Sequence, residues 1–395
     1  MRRLLKVMPK KAKQKKWKVG VNGWFFNKKF TGIGKYCLNL FSELARLENS
    51  PELIIAIPEK LESEAGEKFS ELGKVKWVIL PEIKWLKNFH KGLSKTVWEK
   101  WQLPKLMRRE KVELIHLPYP ALTRGNCPLV VTVHDTIPWT DEGYANRGFL
   151  SRIYNGAALK NFKRAEGVLT VSEAAKREII QLTGRADSQV EVIYNACDFA
   201  FKIPLREEVK RRVKGKYGIS EKPYLFYLGG FDKRKNVARL LKIFEKYLQA
   251  EWQLVLGGLK ILDNQLYGDW DGAKNLQNVV LTGLIEEKDL PALFQGAEAY
   301  ISLTTREGFN LPLLEAICSG CPALVSDLEV HREVGGEIPV YLNLEENDEK
   351  IAKKIKDVLN NDREKLKEKT ERAESKFDWK KSAEKTLKIY QKISK

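Results

Sequence analysis

The chain has 395 residues, 43% apolar and 10% aromatic, with 70 Lys and Arg against 52 Asp and Glu for a formal charge of +18. That length supports two or three domains with sizeable cores, and the composition excludes disordered and fibrous classes. No apolar run approaches the roughly 18 to 20 residues of a membrane-spanning helix, and the N-terminal stretch MRRLLKVMPKKAKQKKW lacks the apolar core of a secretory signal, so the expected location is the cytoplasm. Five scattered cysteines fit a reducing compartment. Cys318-Ser-Gly-Cys321 reads as small residues in a helix-ending turn, since a zinc site would need a second pair and no thioredoxin-like pattern surrounds it.

The positive charge is unevenly placed. Residues 2–16 hold eight basic and no acidic side chains, which marks 1–16 as a basic N-terminal extension. Short apolar strands then alternate with helical patterns: Lys18–Asn22, a helix over about Gly34–Leu47, Leu53–Ile57 and Lys76–Leu80. Lys84–Lys111 interleaves Trp85, Leu86, Phe89, Leu93, Val97, Trp98, Trp101 and Leu103 with lysines and arginines, an amphipathic helix by its spacing. Its stripe either faces the core or lies on an anionic membrane surface, where the basic extension would add attraction. No helix-turn-helix, zinc-finger or RNP-like signature points to nucleic acid.

Leu114–Leu117, Leu129–His134, Gly167–Val171 with a helix from Ser172, and Val190–Tyr194 complete a first half. After a charged linker of about twenty residues the pattern restarts with Tyr224–Leu228, a helix from about Asn236, Gln253–Leu256, Val279–Leu281 and a helix around Asp289–Phe294. Ala299–Leu303, a helix from about Leu311, and Ala323–Val325 follow. Continuous apolar strands separated by helices imply parallel sheets buried on both faces, hence an α/β protein of two doubly wound domains. Ligands should bind outside the carboxyl ends of the strands, between the domains.

Four motifs sit where that architecture requires. Thr31-Gly32-Ile-Gly34-Lys-Tyr opens the first helix, and its glycines would let backbone N–H groups approach an anion. His134-Asp135 follows the LVVTV strand and is preferred as a substrate contact over His116, which follows another strand. Gly229-Gly230-Phe-Asp-Lys-Arg234-Lys235-Asn236 joins a strand to a helix, and its glycines and cations suit a diphosphate. In Glu307-Gly308-Phe309-Asn310-Leu311-Pro-Leu-Leu-Glu315, Asn310 is a helix cap, Pro312 fits the first turn, and the two carboxylates face opposite ends of one ligand.

The Glu307-x7-Glu315 arrangement, with Gly308-Phe309 and Leu311-Pro312 within it, resembles the signature of retaining glycosyltransferases of family 4, the glycosyl transferase group 1 type. Other segments fall in that family's order: GIGKY, WEKWQLP, VTVHD, LTVSEAAKREI, YLGGFDKRKN, LTGLIEEKDLPALFQGAEAYISLTTREGFNLPLLEA and a terminal FDW. The resemblance covers nearly the whole chain and implies the GT-B fold, two Rossmann-like domains facing a central cleft, with a C-terminal helix crossing back to the N-terminal domain. It implies an acceptor-binding domain over 17–200, joined by 377–395, and a nucleotide-sugar-binding domain over 201–376.

Carried over by position, it implies that Gly32 and Gly34 line the donor phosphate side and that His134 approaches the transferred sugar. Lys235 with Arg234 would hold the diphosphate beside Gly230, which stands where many relatives carry Arg. Glu307 would contact the sugar and Glu315 the ribose. Gly308, Phe309, Asn310 and Leu311 would form the phosphate turn, where Asn310 replaces the usual glycine, and an expected NG turn reads Asn195-Ala196.

Charge developing on a departing nucleoside diphosphate is met by fixed cations and N–H dipoles, so no metal and no separate cofactor are expected. Asp269-Trp-Asp271 has a metal-motif spacing but sits in a polar stretch. The motif set is similar to the mannosyltransferase-like branch of surface polysaccharide synthesis, which makes GDP-mannose the first choice of donor, with UDP-sugars and other GDP-sugars open. The acceptor implied is a saccharide, free or on a lipid carrier at the cytoplasmic membrane face. A reading of another class is a non-catalytic nucleotide-sugar or polyanion-binding module. Glu307→Ala separates the two: an enzyme loses turnover while staying folded, since a loop carboxylate adds little to a core.

Overall fold

The computed structural model describes residues 17–62, 66, 68–69, 72–89, 91–141, 148–258, 277–361, 365, 368–369 and 377–394. The basic extension and Asp269-Trp-Asp271 lie outside the described residues. Two wholly parallel sheets organise the chain. The first contains β1 (Lys18–Asn22), β2 (Glu52–Ile57), β3 (Val75–Ile79), β4 (Leu114–Leu117), β5 (Leu129–Val133), β6 (Gly167–Thr170) and β7 (Val190–Val192) in the order β3-β2-β1-β4-β5-β6-β7. The second contains β8 (Tyr224–Leu228), β9 (Gln253–Gly257), β10 (Val279–Gly283), β11 (Ala299–Ser302), β12 (Ala323–Ser326) and β13 (Val340–Leu342) in the order β10-β9-β8-β11-β12-β13. Central strands such as LVVTV in β5 and QLVLG in β9 are buried at every residue because helices cover both faces, whereas the edge strands β3 and β10 are only partly buried.

The last helix, Trp379–Ile393, is capped by Asp378, whose carboxylate accepts from the Lys381 N–H at 2.8 Å. It lies against the Gly32–Arg46 helix. Its Tyr390 hydroxyl meets His116 Nδ1, and Ser382 donates to the Tyr194 carbonyl at 2.7 Å. His116 is fully buried, with Nε2 2.8 Å from Thr132 Oγ1, so this rival of His134 fastens the crossing-back helix to the first sheet. Burial pushes its imidazole down to about 3, and it is therefore neutral.

Three stretches differ from their sequence reading. The charged linker holds a helix, Glu207–Lys216, of which Val213 alone is buried; acids in its first turn and lysines in its last complement the macrodipole. Phe149–Phe162 forms a helix that its weak periodicity did not reveal. Lys84–Lys111 is helical as expected over Lys84–Phe89 and from Lys91 to Arg109, but a π turn at Trp98–Gln102 interrupts the α-helical spacing. Pro104 has no N–H for the Lys100 carbonyl, and the wider turn before it accommodates that loss. The apolar stripe divides as a result: Trp98, Leu103, Leu106 and Met107 enter the core, while Trp85 and Trp101 stay 69% and 57% exposed.

The helix Leu311–Cys318 ends in the expected turn, with Gly320 at φ 69°, and Cys318 and Cys321 are thiols rather than a disulfide. Among the described residues no helix is long and apolar enough to cross a membrane.

Candidate active site

Each sheet has one place where its strand order reverses, between β1 and β4 in the first and between β8 and β11 in the second. Loops leaving neighbouring strands diverge there and open a crevice at the carboxyl edge. The loop after β1 carries Gly32 and Gly34, and the loops after β8 and β11 carry Lys235 and Glu307. His134 follows β5, beside β4.

After β8 the chain makes a short turn at Lys233–Lys235 and passes through Asn236 at φ 55° into the helix Val237–Ile243. The Gly230 carbonyl accepts from Tyr227, which fixes the start of this loop. Lys235 Nζ pairs with Glu307 Oε1, and Arg234 donates to Glu307 Oε2 at 3.0 Å and to the Arg306 carbonyl at 2.9 Å. Arg234 Nε also lies 3.0 Å from Asp232. Glu307, with its side chain 9% exposed, thus sits between two cations. Burial alone would raise its carboxyl; Lys235 and Arg234 together hold it down to about 2.

The loop from Glu307 leads into the helix Leu311–Cys318. Asn310 adopts φ 66°, a left-handed conformation that Asn tolerates, and its side chain accepts from the Leu313 N–H at 3.3 Å. Its amide is oriented by His331 at 2.8 Å and by the Tyr300 hydroxyl at 3.2 Å. Among the described residues, no protein acceptor takes the backbone N–H of Phe309, Asn310 or Leu311, so the helix start presents three free donors. Gly308 passes so close to the His134 carbonyl that any Cβ would collide with it, and its own carbonyl accepts from Ser172 at 2.7 Å. Loops of the two domains therefore meet at Gly308 and His134.

His134 Nε2 lies 2.8 Å from the Pro118 carbonyl, which only accepts, so Nε2 carries the proton and Nδ1 is an acceptor. Burial lowers the ring to about 4 and keeps it neutral. Tyr36 packs edge-on at 4.8 Å and sets its orientation. Gly34 contributes differently from Gly32. Its N–H is taken by Thr31 Oγ1 at 3.0 Å, and a Cβ would strike the Lys28 carbonyl, so Gly34 makes room for the turn before it rather than offering a donor. Gly32 is exposed, with open space where a Cβ would be.

Glu315 lies inside the helix with its side chain 3% exposed. Oε1 pairs with Lys35 of the other domain, and Oε2 has no hydrogen-bond partner.

The chain as a whole has counterparts among known proteins. The family model for Glycosyl transferases group 1 matches residues 209–376, and that for Glycosyltransferase Family 4 matches residues 30–201. The chain belongs to the glycosyl transferases group 1 family. O-antigen chain mannosyltransferase B of Escherichia coli is 25% identical over 319 residues, 78% of this chain and 81% of that protein. Serotype-specific mannosyltransferase WbdA of Escherichia coli is 28% identical over 217 residues, 52% of this chain and 26% of that protein's own length. Sucrose-phosphate synthase of Thermosynechococcus elongatus shares the fold with a TM-score of 0.69 at 14% identity, covering 95% of this chain and 99% of that one.

The glycosyltransferase also carries groups that local sequence reading passed over. Arg306 bridges to Thr136 at 2.9 Å and Glu178 at 2.8 Å, and Glu333 accepts the Glu173 and Ala174 N–H groups at 2.7 and 3.0 Å, filling the N-terminus of the helix Glu173–Thr183 from the opposite domain. In the N-terminal domain Glu99 is wholly buried, accepting from Tyr119 at 2.7 Å, Tyr154 at 2.9 Å and the Leu122 N–H at 3.1 Å, with Lys95 3.5 Å away. Tyr154 and Lys95 also line a cavity of about 740 Å³ between the Lys91–Val97 and Phe149–Phe162 helices. Its walls are apolar at Leu93, Trp101, Leu150 and Ile153, while Lys100, Arg124, Lys160 and Arg164 make it basic. A WEKWQLP motif read from the alternation of Trp and Lys gave no sign that its Glu is buried alongside Trp98 and Leu103.

Proposed function

We propose that the protein is a retaining, metal-independent mannosyltransferase that moves mannose from GDP-mannose to a saccharide or lipid-linked acceptor in surface polysaccharide or glycolipid synthesis. The observation that carries this reading is the convergence of Lys235 and Arg234 on Glu307, beside neutral His134 and the free N–H groups of Phe309, Asn310 and Leu311. The names of the O-antigen mannosyltransferase relatives support the choice of sugar and pathway class.

As the bond from the anomeric carbon to the diphosphate breaks, negative charge grows on the leaving phosphate. Lys235, Arg234 and the helix start stabilise it without reorganising. The acceptor hydroxyl attacks on the same face, and its proton passes to the leaving phosphate oxygen. Glu307 stays ionised throughout the neutral range, so it orients sugar hydroxyls and holds the two cations rather than donating a proton. His134 Nδ1 accepts a hydroxyl of the transferred sugar. Glu315 Oε2 accepts a ribose hydroxyl. The basic, apolar-walled cavity of the N-terminal domain and the exposed Trp85 and Trp101 suit an acceptor carried on an anionic lipid at a membrane surface.

The test is transfer from GDP-mannose, other GDP-sugars and UDP-sugars to a lipid-linked saccharide, with and without EDTA, with the anomeric configuration of the product read by proton NMR. An α-mannoside formed equally well in EDTA is expected. An inverted product, or activity abolished by EDTA and restored by a divalent cation, would contradict the mechanism.

A further inference from the structure

Lys35 has no part in the chemistry above, yet its side chain is only 11% exposed and its ammonium spans the domain boundary. It rises from the first turn of the Gly32–Arg46 helix to Glu315 Oε1 of the C-terminal domain, with the Phe201 ring 5.8 Å away. The other oxygen of Glu315 is buried and has no protein partner. That asymmetry, one oxygen held and one left over, is what a carboxylate reserved for a ligand hydroxyl would show.

The surroundings of the pair are otherwise acidic or neutral. Glu287, before the Leu290–Gly296 helix, and Asp198, after β7, both face Glu315 and disfavour its ionised form. Cys197 and Cys318 approach from β7's exit and from the end of Glu315's own helix. Lys202 acts on Cys318, and Lys68 is engaged by Asp198 at 3.3 Å and Asn39 at 2.8 Å. Burial raises the Glu315 carboxyl above its ordinary value, and Lys35 is the cation that opposes this. Burial works against the Lys35 ammonium too, but Glu315 and Glu287 together more than offset that and keep it charged.

We propose that Lys35 is a positioning residue for the donor nucleotide: it keeps Glu315 ionised with one oxygen fixed and the other open to the ribose, and thereby makes a complete nucleoside site conditional on the N-terminal domain being in place. The proposal rests on the reading of Glu315 as the ribose acceptor. Without Lys35, a buried carboxylate facing Glu287 and Asp198 loses the cation that opposes its burial, so its carboxyl moves further up and the protonated form gains. Its protonated form is a poorer acceptor for the ribose hydroxyl, so nucleotide affinity must rise with pH as the proton leaves.

The experiment is calorimetric titration of GDP and UDP into the full chain between pH 7 and 8.5, above the phosphate titration near about 6 and below that of the nucleobases. Wild type, Lys35→Met, Lys35→Arg, Glu315→Gln and the Lys35→Met/Glu315→Gln double variant are compared, each checked for folding by its melting transition. Wild type and Lys35→Arg should give flat profiles for the nucleotide that binds. Lys35→Met should bind about tenfold more weakly at pH 7, or about 1.4 kcal/mol, and recover toward pH 8.5. Glu315→Gln and the double variant should be weak and flat, which identifies Glu315 as the titrating group. A Lys35→Met profile parallel to wild type, whether weakened or not, overturns the proposal, because loss of a merely structural contact weakens binding equally at every pH. Failure of wild type to bind either nucleotide overturns the ribose reading instead, and the proposal falls with it.

Discussion

Glu307 and Glu315 stand on either side of one helix start, and their surroundings are opposite. Glu307 is held by two cations, Lys235 and Arg234, both from its own domain, and its carboxyl is driven down to about 2. Glu315 has a single cation, Lys35, 280 residues away in sequence, and its carboxyl is raised. The first carboxylate is fixed by local chain folding and is ready whether or not the domains close. The second is complete only when they do. On the proposed roles, binding energy from the nucleoside end is tied to closure, while the charge cluster at the reacting end is built in advance.

Removing each carboxylate sharpens the contrast. Glu307→Gln should lower kcat by about 10²- to 10³-fold, since it removes the proposed sugar contact and loosens both cations. Glu315→Gln should act mainly on KM for the donor; steady-state kinetics with varied donor separates the two, and equal kcat losses would erase the distinction. The sequence-based expectation that a change at Glu307 leaves the fold untouched needs amendment, because replacing a buried carboxylate between two cations leaves both of them short of a partner. A loss of about 3 kcal/mol is expected, readable in urea unfolding.

Acid stability should distinguish the same pair. The Glu307 carboxyl is depressed from 4.5 to about 2, so the unfolded chain takes up this proton first. Its contribution, about 3 kcal/mol for that difference, is complete above pH 4.5 and is lost as pH falls toward 2. Glu307→Gln should remove that part of the slope in acid unfolding, and Glu315→Gln should keep it, since a raised carboxyl weakens the fold in the other direction. The smallest effect is expected at the back of the N-terminal domain. Tyr390→Phe removes the hydroxyl that meets His116 and should cost about 1 kcal/mol in thermal unfolding without altering donor KM.

The legible parts of this protein are those in which chemistry is local in sequence. The strands around Val19, Val131 and Leu225 are continuous apolar runs, and Glu307, Lys235 and Asn310 follow strands within a few residues, so fold and donor loops could be read together. What escaped depends on distance or on weak patterning. Lys35 lies inside the GIGKY motif, but nothing nearby indicates that its partner is Glu315. Arg306 and Glu333 likewise act on the opposite domain. The Glu207–Lys216 helix buries one residue and is fastened through Lys216 to Glu286 and Asp289, distant in sequence, so it resembled a linker. The break at Trp98–Gln102 arises from Pro104, which a periodicity count over Lys84–Lys111 smooths away.

The central claim, that a nucleoside diphosphate is held by Lys235 and Arg234 rather than by a metal, is tested most directly by a thermal shift with GDP in the presence of EDTA. At one hundred times Kd a ligand stabilises the folded state by about 2.7 kcal/mol, a readily measured rise in Tm. The account predicts a GDP-dependent rise that EDTA does not change and that Lys235→Ala abolishes. A rise that requires a divalent cation, or one that survives in Lys235→Ala, would contradict it.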